Sequence, residues 1–96
     1  MAMKSKTWAR LEWIPNEEGG RRSGPPSGLT YSTAARFEGR KDESWSLVLD
    51  FSASPGDRTL AEVSFLVPWA PQELLRPGSK FELLENGPVA SGEILD

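Results

Sequence analysis

The chain has 96 residues, 38% of them apolar and 26% charged, with a net charge of −3 and neither cysteine nor histidine. That length fits one domain with a modest core, and the composition is that of a folded chain. Without cysteine there is no disulfide or thiolate metal site, and without histidine the usual general base and the commonest metal ligand are missing.

Met1 to Trp8 carries charge but no apolar core of signal-peptide length, so residues 1–6 are expected to form a loose tail on a single domain spanning 1–96. No run approaches the roughly 20 apolar residues needed to cross a bilayer, and a soluble, cytoplasmic protein is expected. Eight Pro and nine Gly leave few stretches long enough for a helix. Alternation with a period of two recurs instead, the mark of strands with one buried and one wet face. In chain order it covers Thr7, Ala9, Leu11 and Trp13; Tyr31, Thr33, Ala35 and Phe37, the least regular; Trp45, Leu47, Leu49 and Phe51; Ala61, Val63, Phe65 and Val67; Phe81, Leu83 and Glu85; and Ala90, Gly92 and Ile94.

Turn signals separate these runs. Gly19–Gly28, with Pro25-Pro26 and Arg21-Arg22, reads as an exposed loop. Glu38–Ser44 is a polar connector, and Pro55-Gly56-Asp57 and Pro77-Gly78 each feed a strand. Pro68–Arg76 fits one helical turn with Gln72-Glu73 on its wet side. Asn86-Gly87 predicts a tight hairpin between the last two strands. The expected fold is all-β, a small antiparallel barrel of about six strands. Its core is expected to hold Leu11, Trp13, Leu47, Leu49, Val63, Phe65, Phe81, Leu83 and Ile94.

Few constellations carry chemistry. Glu17, Glu18, Arg21 and Arg22 flank a Gly pair that could offer backbone N–H groups and guanidinium forks to an anion. The structural alternative, a solvated loop in which Arg21 pairs with a nearby acid, is preferred, because such surface charges are common and contribute little. The phosphate-binding pattern Gly-x-x-x-x-Gly-Lys-Ser/Thr is absent, so no nucleotide hydrolysis is expected. Asp42-Glu43 and the Asp50, Asp57 pair lack metal-loop spacing. Among the four tryptophans, Trp13 and Trp45 belong in or against the core, together with Trp8 or Trp69. Trp69, in its Pro-rich loop, is the best candidate for an exposed partner anchor. Residues 1–48 hold eight basic against six acidic residues, and residues 49–96 hold three against eight. The acidic total argues against general nucleic-acid binding.

Asn16-Glu17-Glu18-Gly19-Gly20-Arg21, then Ser54-Pro55-Gly56-Asp57 before a strand and Val67-Pro68, then Gly78-Ser79-Lys80-Phe81-Glu82-Leu83-Leu84-Glu85 running into Val89-Ala90-Ser91-Gly92 follow one another in a telling order. In that order they resemble the C-terminal β-barrel domain of elongation factor Tu, over nearly the whole chain. The resemblance implies a non-enzymatic barrel, one that in the family packs on a GTPase domain and helps to contact the T-stem of aminoacyl-tRNA. Arg21 falls where the family has its Gly-Gly-Arg arginine, and Glu85 matches the Glu of the family's Arg-Glu-Gly-Gly-Arg turn. Arg22 replaces a His, Leu84 and Pro88 replace arginines, and Leu29-Thr30-Tyr31-Ser32 stands where the family has Tyr-Arg-Pro-Gln. Several basic positions of the RNA-facing surface are thus replaced while the strand framework stays.

These readings combine into an expectation of a monomeric, free-standing binding module with a protein partner and no cofactor, metal or catalytic residue. The alternative is a weak, tRNA-like RNA binder using the N-terminal basic residues. Binding would fall to Glu18, Arg21, Arg22, Trp69 and Glu85. Whether Arg10, Arg21, Arg22 and Arg36 share one face discriminates between the two readings.

Overall fold

Period-two alternation becomes strand in all six places where the sequence carries it. A computed structural model describes residues 7–95, so the tail expected at residues 1–6 lies outside the described residues. The strands are β1 (Trp8–Trp13), β2 (Thr30–Phe37), β3 (Trp45–Asp50), β4 (Leu60–Phe65), β5 (Lys80–Leu84) and β6 (Pro88–Ile94). They are antiparallel throughout and close into a barrel in the order β1-β4-β3-β2-β5-β6. Closure leaves no free sheet edge to recruit another chain. Two short 3₁₀ turns, Asn16–Glu18 and Gln72–Leu75, are the only helical elements among the described residues. The second is the helical turn anticipated after Pro68, with Gln72 and Glu73 exposed and Leu74 buried.

In this ring β1 stands opposite β2, and β4 opposite β5. The connectors β1–β2 and β4–β5 must therefore each cross a mouth of the barrel, one at either end. They do so by different means. The β4–β5 crossing seats Ala70 and Leu74 in the core and packs Val67 and Leu75 against it. The β1–β2 crossing buries only Pro26 among its residues and is held by polar contacts.

Inward-facing residues fill the barrel in register. Phe37 pairs with Phe81, Phe81 with Gly92, and Gly92 with Leu11. The Phe37 and Phe81 rings lie 5.3 Å apart, and Phe37 also packs on Phe65 at 5.8 Å. Gly92 has a steric reason to be glycine. A Cβ there would stand 2.3 Å from the Phe81 ring, which occupies the space a side chain would need. No polar or charged residue is buried among the described residues, so the core avoids the cost of burying unpaired polar groups.

Eight of the nine expected core residues are buried: Leu11, Leu47, Leu49, Val63, Phe65, Phe81, Leu83 and Ile94. Trp13 is the correction. It faces inward at the end of β1 but is only half-buried, because it sits at the barrel mouth. There its indole N–H donates to the Arg58 carbonyl at 2.7 Å and its ring meets Tyr31 edge-on at 5.9 Å. A tryptophan with one polar end gains more there than in a core with nothing to accept its proton.

The last hairpin is also longer than Asn86-Gly87 predicts. Leu84 pairs with Pro88 across a three-residue loop, Glu85-Asn86-Gly87, and a register shift at Leu83/Leu84 accommodates it. Only Gly87 takes a positive φ, 120°, and Asn86 does not. A two-residue turn would close with an N–H from residue 88, and Pro88 has none to give.

Candidate functional site

Two polar features and one apolar feature stand out on this barrel. At the β1–β2 end, the 3₁₀ turn Asn16–Glu18 is closed by Gly19, whose N–H donates to the Asn16 carbonyl and whose left-handed φ of 97° turns the chain out of the helical path. Gly20 follows for a different reason: a Cβ there would fall 1.7 Å from the Ile14 carbonyl oxygen. The pair turns the chain back across the mouth and delivers Arg21 to the β5–β6 hairpin. Arg21 Nε donates to Glu85 Oε2 at 2.8 Å, and its Nη1 donates to the Gly24 carbonyl at 2.5 Å. The guanidinium also lies over the Tyr31 ring, 5.3 Å from its centroid. The Tyr31 hydroxyl donates to the same Glu85 oxygen.

This constellation sets its own electrostatics. Partial burial and the hydrogen bond to Glu85 push the Tyr31 hydroxyl up to about 12, against an ordinary 10.0. The Tyr31 hydroxyl and the Arg21 guanidinium together hold Glu85 below its ordinary 4.5. An acid kept ionised and a phenol kept protonated leave neither group poised to move protons near neutrality.

Two expected site residues, Arg21 and Glu85, are therefore brought together, though 64 positions apart. The nearby-acid reading of Arg21 is met by this partner. Glu18 and Arg22 lie exposed beside the constellation and outside it. Tyr31 is the member that sequence reasoning missed. Its signal was available, since it is the only tyrosine and begins a run that puts it on the inward side of β2 at the mouth.

The second polar feature is an open groove of about 1230 Å³ over the outer faces of β1, β6, β5 and β2. Cross-strand register places Arg10, Glu93 and Lys80 in one row, with Glu12, Ser91, Glu82 and Arg36 in the next. Arg36 Nη2 pairs with Glu82 at 3.1 Å, while its buried Nε has no partner. Arg10, Arg36, Lys41 and Lys80 line the groove against five acids, Glu12, Glu38, Asp57, Glu82 and Glu93. Arg10 and Arg36 thus share a face that is not basic, and Arg21 and Arg22 are not part of its lining.

The apolar feature lies at the opposite end, on the β4–β5 crossing. Leu66 is 59% exposed and Trp69 75%. Val67 and Ala70, to either side of Trp69, are packed into or against the core, and Pro68 and Pro71 restrict the backbone between them. Arg40 bridges Glu43 at 3.2 Å and Glu73 at 3.5 Å, tying the β2–β3 connector to this crossing. Trp69 is therefore an exposed ring on an anchored segment. Trp45, by contrast, packs edge-on against Phe65 at 6.4 Å and donates its indole N–H to Glu43, and Trp8 is half-buried.

Among the described residues, no group of three or more Asp or Glu stands close enough to hold a metal ion, and no helix is long and apolar enough to cross a membrane. The chain matches no protein-family model, no curated protein and no solved structure.

Proposed function

We propose that this barrel is a non-enzymatic binding module, working in the cytoplasm, whose partner is a protein that docks on the Leu66–Trp69 surface. The observation that carries the reading is Trp69, a large ring left three-quarters exposed on a segment that is itself anchored. Exposed aromatics on ordered backbone are the usual anchors of protein interfaces, because little conformational freedom is lost when they are covered. The RNA alternative has weaker support. Arg21 is engaged by Glu85 and the Gly24 carbonyl, and the groove that holds Arg10 and Arg36 has more acids than bases. A barrel of the elongation factor Tu C-terminal kind, retained as a scaffold with its RNA-facing arginines replaced, agrees with this reading.

The test is capture from native lysate, with and without nuclease, by the wild-type chain and by Trp69→Ala. Proteins retained after nuclease, and bound about tenfold or more weakly by the variant, are the expected result. Trp69→Ala should leave the melting temperature nearly unchanged, since the ring is exposed. Capture that disappears with nuclease, or binding to a structured RNA whose affinity falls steeply between 50 and 200 mM salt, would favour the RNA alternative.

A further inference from the structure

The two crossings close the barrel with unequal security. The β4–β5 crossing is plugged by Ala70 and Leu74, whereas the β1–β2 crossing buries only Pro26. Backbone hydrogen bonds from Ile14 to Val89 and from Phe51 to Leu29 fix its ends, and two arginines tie it down between them. Arg21, within the strap, reaches the β5–β6 hairpin through Glu85. Arg58, from the β3–β4 connector, donates to the strap's Gly28 and Ser27 carbonyls at 2.6 and 3.2 Å. Apolar plugs resist opening in proportion to the surface they would expose, whereas exposed ion pairs exchange readily for water. Segments with little buried surface open first, well below the free energy of global unfolding.

We infer that residues 20–28 form a releasable strap over one mouth of the barrel, with the Arg21–Glu85 pair as its latch. Release frees the Arg21 guanidinium and lifts it from the Tyr31 ring, over which it lies at 5.3 Å. It also widens access to the Trp13–Tyr31 pair at the mouth. The six strands need not change, because their ladders and the Phe37–Phe81 packing do not pass through the strap. The closed and open states thus present different surfaces at this mouth: a neutralised cation covering an aromatic ring in one, a free guanidinium and two uncovered aromatic rings in the other.

The chain carries its own probe, since trypsin cuts after arginine and the strap contains Arg21-Arg22. Under native conditions, cleavage at this pair tracks the population of the open strap when opening is fast relative to cutting. Glu85→Gln removes the latch charge from an exposed position and leaves both cleavage sites intact. It should accelerate cleavage at Arg21-Arg22 by about three- to tenfold with the melting temperature little changed. Tyr31→Phe, which keeps the ring and removes only the second donor to Glu85, should give a smaller acceleration. Equal cleavage of wild type and Glu85→Gln would overturn the latch. So would acceleration spread equally over Arg10, Arg36 and Arg58, because that would report global unfolding and not release of the strap.

Discussion

Phe81→Ala should remove about 3–5 kcal/mol of stability, a large part of what a domain of this size possesses. Its melting temperature should fall by roughly 12 °C or more. The upper half of that range is expected, because the vacated space cannot readily be refilled. The ring meets Phe37 on one side and stands over Gly92, which has no side chain to move in. The reverse crowding follows from the same contact. Gly92→Ala in the wild-type background forces a methyl to within 2.3 Å of the ring and should cost about 1–3 kcal/mol. In the Phe81→Ala background that methyl has room, so the double variant should be more stable than the two losses added together. A Phe81→Ala chain that melts within a degree or two of wild type would place the ring outside the core.

Titration of Tyr31 should show a midpoint near 12 instead of the ordinary 10. It is the only tyrosine in the chain, so the ultraviolet absorbance of the phenolate reads this one group without assignment. Burial, followed by the hydrogen bond to Glu85, raises the value, and Glu85→Gln should bring the midpoint part of the way back. Because the folded-state value lies above the unfolded one, the stabilising contribution is complete below pH 10. It is lost as the pH climbs through 12. Glu85 behaves in the opposite sense. Its lowered value means that its contribution is present above the ordinary 4.5 and fades as the pH drops below it. A phenolate appearing near pH 10 would mean that the hydroxyl is neither shielded from water nor held by Glu85.

What the sequence revealed and what it hid divide along physical lines. Alternation is a local property, so β1 and β3 to β6 were legible one strand at a time. β2 was the least regular run and yet is the longest strand, at eight residues. Its Ala34 and Ala35 gave little contrast between faces, and its identity comes from pairing with β3 on one side and β5 on the other. Trp13 was misplaced because inward direction and depth are separate quantities, and a strand end faces inward without being deep. The Asn86-Gly87 signal located the last hairpin but missed its loop length, for want of the N–H that Pro88 lacks. The Arg21–Glu85 clamp was legible only as two unconnected residues, since a contact across 64 positions exists only once the ring of strands has closed.

The order of strands around that ring also governs when the barrel can form. The pairs β2–β3, β3–β4 and β5–β6 join neighbours in sequence, whereas β1–β4, β2–β5 and β1–β6 do not. During synthesis, β1 emerges first and waits for β4, with which it makes only a short three-position ladder. Its longer, five-position ladder is with β6, the last strand to be made. Closure therefore waits until β6 has been made. A nascent chain halted before Pro88 would keep an open seam on β1 and β5, the segments most able to recruit a neighbouring nascent chain. With so much pairing between distant segments, refolding should take milliseconds to seconds and not microseconds.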